Sequence, residues 1–141
     1  MRLIVRELKT TLSELISPTK NSIIGAIRPH LYLHNNPSGS VKIQIQTSDG
    51  LLISESNFIS FSAITSAIEY HGYVTFYITA NLKDGVDYKI VIVPSDDYTF
   101  SESAYCAVCT DYDLRKYPTK FEVTNPLASP LDLEIWTYSK K

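Results

Sequence analysis

Hydrophobic and polar residues alternate along most of this chain. In "SVKIQIQTSDGLLISES", residues 40–56, Val41, Ile43 and Ile45 fall on one face, and Lys42, Gln44 and Gln46 on the other. A period of two predicts a half-buried strand, because successive side chains point to opposite faces. Ser48-Asp49-Gly50 predicts a three-residue hairpin loop, with Gly50 supplying the left-handed position. That loop length sets Ile45 opposite Ile53, both inward. A two-residue loop would set Ile45 opposite Ser54, so the hydrophobic pattern favours the longer loop.

Residues 72–98, "GYVTFYITANLKDGVDYKIVIVPSDDY", follow the same rule. Val74, Phe76 and Ile78 face one way, and Tyr73, Thr75, Tyr77 and Thr79 the other. Lys83-Asp84-Gly85 is the turn. Beyond it, Tyr88, Ile90 and Ile92 share one face while Val91 and Val93 make the opposite face apolar as well. A strand apolar on both faces is expected to be central, and Pro94 ends it because proline cannot donate to a ladder. Further strands are expected at "IRPHLYLH", "SAYCAVC", "KFEV" and "LDLEIWTY", with Pro29 marking the first as an edge or a strand start. "FISFSAITSAIEY", residues 58–70, holds the one helical turn expected outside the N-terminus. Residues 5–16 fit a helical stripe, yet Thr10-Thr11 and the β-rich surroundings favour extended chain for the first few. About eight short strands with turns between them predict an all-β fold: an antiparallel β-sandwich, jelly-roll-like, with at most one short helix.

Length places the whole of residues 1–141 in a single domain, large enough to fold without disulfides or metals. A net charge of −2 and scattered lysines and arginines give no nucleic-acid footprint. No apolar run approaches the roughly 18 residues of a membrane span. Arg6 and Glu7 stand where a secretory signal would need its apolar stretch, so synthesis in a cytoplasm is expected.

The order of a "SGSVKIQIQ-SDG-LLISES" hairpin, an "ISFSAITS" segment, an aromatic "YVTFYI" strand and then "L-KDG-VDYKIVIV" resembles jelly-roll modules. These occur as carbohydrate-binding or accessory domains and in virion proteins of tailed bacteriophages. The resemblance covers roughly residues 22–110 and centres on Leu82, Gly85, Tyr88 and Ile90. It implies a non-enzymatic virion structural protein: a head decoration, neck or tail accessory subunit, made in the host cytoplasm and working in the virion. Its partners would be capsid or tail proteins and copies of itself. The alternative it implies is a carbohydrate-binding module that stacks a glycan on exposed aromatics. Neither reading calls for a cofactor, a nucleic acid or a membrane.

Candidate chemistry is sparse. Cys106 and Cys109 have Cys-x-x-Cys spacing, but in a strand. Three residues of strand span about 10 Å and odd spacing points the thiols to opposite faces, whereas a disulfide needs α-carbons within about 7 Å. Two free, buried thiols are expected. His30 and His34 share a strand face with Tyr32 but stand about 13 Å apart, too far to ligate one zinc ion. His71 precedes Gly72 at a strand entrance, and all three histidines read as polar surface or turn residues. Asp96, Asp97, Asp111 and Asp113 are weak candidates for a loop calcium site. Their simpler reading is that aspartate caps turns.

Tyrosine is the unusual feature, at ten residues, beside one tryptophan. Tyr73 and Tyr77 fall on the polar parity of their strand. Trp136 and Tyr138 alternate with Leu133 and Ile135 and share a face with Asp132 and Glu134. These four aromatics are the candidate interface or ligand residues, because partly exposed rings anchor protein interfaces or stack sugars. The plainer reading is that tyrosine suits strands. No Ser-His-Asp spacing, phosphate loop or distinguishable carboxylate pair marks an enzyme.

Overall fold

A computed structural model describes residues 5–110, 121–123, 131 and 133–137, the middle group by its backbone alone. Two antiparallel sheets pack as a β-sandwich. The strands are β1 (Val5–Glu7), β2 (Leu12–Pro18), β3 (Ser22–His34), β4 (Ser40–Thr47), β5 (Leu52–Glu55) and β6 (Ile59–Ser60), then β7 (Glu69–Tyr73), β8 (Phe76–Leu82), β9 (Tyr88–Pro94), β10 (Tyr105–Cys109), β11 (Phe121–Val123) and β12 (Leu133–Thr137). Among the described residues there is one helical turn, α1 (Phe61–Ile64), capped by Ser60, whose hydroxyl accepts from the Ser62 N–H.

The first sheet is organised around β3. One edge of that strand pairs with β12 and then β10, and the other with β8 and then β7; β1 extends the sheet beyond β10. The second sheet runs β11-β2-β9-β4, with β5 and β6 sharing the outer edge of β4. As its two apolar faces predict, β9 is central, and Val91 on its outer face is buried along with Ile90 and Ile92. Between the sheets lie Ile43, Ile45, Ile90 and Ile92 from one side, and Ile27, Leu31, Phe76, Val108 and Ile135 from the other. Cys106 and Cys109 are buried and not joined in a disulfide, and burial pushes the Cys106 thiol far above its ordinary range.

Two details of the sequence reading are corrected. Pro29 lies inside the central strand, neither at an edge nor at a start. The N–H and C=O of a strand residue point the same way, and the Pro29 carbonyl accepts from Val74 N–H at 3.1 Å. The missing donor therefore faces the junction where β7 ends and β8 begins, where the ladder is already interrupted. The β4–β5 hairpin sets Ile45 opposite Ser54, not Ile53. A register shift follows, with Gln46 opposite Leu52, so Ile53 is the extra residue of a bulge and is exposed. Ser54 takes the place opposite the inward Ile45, and farther along the chain Ser56 is buried, its hydroxyl accepting from Ile43 N–H at 3.0 Å. Gly50 does take a positive φ, +101°.

One carboxylate faces the sandwich interior. Glu14 of β2 is buried and accepts the Leu131 N–H at 3.0 Å, which ties the segment entering β12 to the opposite sheet. Desolvation raises its pKa above the ordinary 4.5, against the opposing pull of the Leu131 hydrogen bond and the Arg6 charge. A carboxyl with a raised folded-state pKa holds its proton more tightly in the folded protein. Its contribution is therefore fully present below about pH 4.5 and is lost as pH rises through the folded-state value. Glu14→Gln keeps a carbonyl oxygen for Leu131 and removes the charge. Its melting temperature at neutral pH should exceed the wild type's, and the gain should shrink in acid. Glu14→Ala should instead cost about 1–3 kcal/mol by leaving the Leu131 N–H unsatisfied.

Candidate functional site

The outer face of the β3 sheet carries a continuous strip of rings and charged groups. It arises from strand parity. Ala26, Arg28, His30, Tyr32 and His34 alternate with the buried Ile27, Leu31 and Leu33, so they point away from the core. Directly paired residues share a face, and pairing brings partners to both sides of this row. Trp136 and Tyr77 flank Ala26; Glu134 lies opposite Arg28; Tyr73 opposite His30; His71 opposite Tyr32; Glu69 and Tyr105 opposite His34. From Ala26 to His34 the strip is about 26 Å long at the rise of an extended strand.

Arg28 organises the end nearest Trp136. Its Nη1 donates to Glu134 Oε1 at 2.6 Å and its Nε to Thr75 Oγ1 at 2.9 Å. The guanidinium lies 4.9 Å from the Trp136 ring and 5.6 Å from the Tyr73 ring, so one half-buried cation is clasped by two aromatics and a carboxylate. Tyr73 packs 4.8 Å from His30, whose Nε2 is hydrogen-bonded to His71 Nδ1 at 3.1 Å. Farther along, the Tyr32 and His34 rings stack at 15°, and Tyr105 contacts both, with Phe100 against Tyr105 and Lys9 over Phe100. Burial and then the nearby Glu69 raise the Tyr32 pKa, so its phenol remains a neutral donor. His34 Nδ1 makes no hydrogen bond, but Glu69 Oε1 stands 3.9 Å away, an ion pair when the ring is protonated.

Three of the four aromatics singled out in the sequence thus lie on one face. Tyr77 is 80% exposed and Trp136 47%, while Tyr73 is half-buried. Tyr138 lies outside the described residues. The exposure of Trp136 removes the reading of this ring as core. Arg28, Thr75 and His71 carry as much of the arrangement and were not singled out for it. Parity placed His30, Tyr32 and His34 together, but nothing in the sequence announced that β7, some forty residues on, would line up beside them.

Of the four acidic candidates, Asp96 and Asp97 lie among the described residues. Asp96 and Asp97 are exposed in the turn after β9, where the Asp97 carboxylate accepts the Ser95 hydroxyl, a local turn contact. Asp111 and Asp113 lie outside the described residues. Among the described residues no group of three metal-ligating side chains is found, and no helix is long and apolar enough to cross a membrane.

No family model, curated protein or solved structure matches the chain.

Proposed function

We propose that the protein is a non-enzymatic structural subunit of a tailed-bacteriophage particle, which docks on a capsid or tail protein through the outer face of the β3 sheet. The observation that carries the docking mode is the Trp136–Arg28–Tyr73 stack beside the exposed Tyr77. Tryptophan, tyrosine and arginine are enriched in binding hot spots: the two aromatics bring a large area at small entropic cost, and all three keep a polar group for a partner. Here the arginine is already held in place by Glu134 and Thr75, so little order remains to be imposed on association. The assignment to a virion rests on the sequence resemblance.

A second reading has a specific observation in its favour. Arg28 lies over the Trp136 ring and is itself hydrogen-bonded to Glu134 and Thr75, and a sugar platform needs polar groups beside an aromatic face. A carbohydrate-binding role would use the same end of the strip.

Mass spectrometry of virions purified from the phage that encodes the chain should find it in fixed proportion to the major capsid or tail protein. Its absence from washed particles would overturn the structural role.

A further inference from the structure

We infer that His30 and His71 form a two-nitrogen chelate for a divalent transition-metal ion of the zinc, nickel or copper class. The ion would sit on the outer face of the β3 sheet. His30 Nε2 and His71 Nδ1 are 3.1 Å apart. Two imidazole nitrogens, each about 2.0–2.1 Å from one ion, stand about 3.3 Å apart at a tetrahedral angle and about 2.9 Å apart at a right angle. The observed separation falls between these values, so the distance suits one ion once the rings turn from facing each other to converging on it.

The scaffold favours this. His30 lies opposite Tyr73 and His71 opposite Tyr32, so the two histidines are diagonal neighbours on hydrogen-bonded strands. Their backbones are fixed by the ladder, and the Tyr73 ring supports His30 at 4.8 Å. His71 is exposed, which leaves room for water on the ion. The nearest strong cation, Arg28, is neutralised by Glu134. On binding, whichever facing nitrogen carries the proton gives it up, to the other nitrogen of its ring or to solvent, so that both lone pairs turn to the metal. No redox change is involved. Imidazole ligands select zinc, nickel and copper over magnesium and calcium.

Among the described residues no third ligand joins the pair. His34 is four residues farther along β3, about 13 Å away, with its ring stacked on Tyr32. Among the described residues no group of three His, Cys, Asp or Glu could hold an ion. The described residues supply two ligands to the ion, and further donors complete its shell.

The test is isothermal titration of the full chain, free of any purification tag, with zinc and then nickel chloride near neutral pH. Wild type should bind one ion per chain, and zinc should raise its melting temperature. His71→Asn, at an exposed position, should weaken binding at least tenfold and abolish the thermal shift while keeping the wild-type circular dichroism. His30→Asn should do the same, and His34→Asn, on the same face, should bind as wild type. Acid should displace the ion, because a ligating imidazole must be neutral. Absence of saturable binding, retention of it in His71→Asn, or an equal loss in His34→Asn would each overturn the inference. None of these outcomes depends on which molecule docks on the face.

Discussion

Replacing Phe76 by alanine should cost about 3–5 kcal/mol of folding stability, the range for truncating a buried phenylalanine. Phe76 opens β8 and is 1% exposed. Its cross-strand partner is Ile27, which is paired on its other side with Ile135, so Phe76 belongs to an apolar row that crosses three strands of the first sheet. Removing the ring loses its transfer free energy and leaves a cavity that neighbours held in a sheet cannot close. Typical domains have about 5–15 kcal/mol in total, so the loss is a large fraction. The adjacent residue supplies the control. Tyr77 points to the opposite face and is 80% exposed, so Tyr77→Ala should shift stability by about 0.5 kcal/mol or less. Urea unfolding of the two variants, compared at equal denaturant slope, checks the alternation directly. Equal effects would mean that the inward and outward faces of β8 are misassigned.

The fold was legible where residues alternate cleanly. The period of two in β4, β8 and β9 marks the buried faces correctly, and the two-sided apolar character of β9 marks its central place. Legibility failed where tertiary pairing overrides a local rule. Pro29 looked like a boundary because proline breaks ladders. In the folded chain its missing donor falls at the gap between β7 and β8, a place visible once both strands are aligned on β3. The β4–β5 loop looked like a matter of hydrophobic register, yet a bulge on an edge strand lets Ile53 out and brings Ser56 in. The site shows the same division. Exposed-face aromatics could be picked by parity, whereas the Arg28 clasp joins residues separated by 47 and 106 positions. The His30–His71 contact spans 41. Such pairs follow from strand order, which single-strand patterns do not encode.

Replacing Trp136 by alanine should weaken docking by a factor of about 30 or more, the loss of about 2 kcal/mol expected for a hot-spot aromatic. The ring is half outside the fold at 47% exposure, and it covers one side of the Arg28 guanidinium. Its loss removes contact area and uncovers one side of the arginine, which Glu134 and Thr75 still hold. The fold should lose little, because Ile135, the neighbour that faces the core, is untouched. The decisive measurement adds purified wild-type and Trp136→Ala protein to phage particles that lack the chain, and reads the particle-bound fraction against protein concentration. Melting curves of both proteins and a glycan array run beside it. The account predicts saturable binding of the wild type, binding by Trp136→Ala weakened to that extent at near-unchanged melting temperature, and no glycan bound by either. Equal binding of the two proteins to particles, or tight glycan binding that disappears in Trp136→Ala, would contradict it.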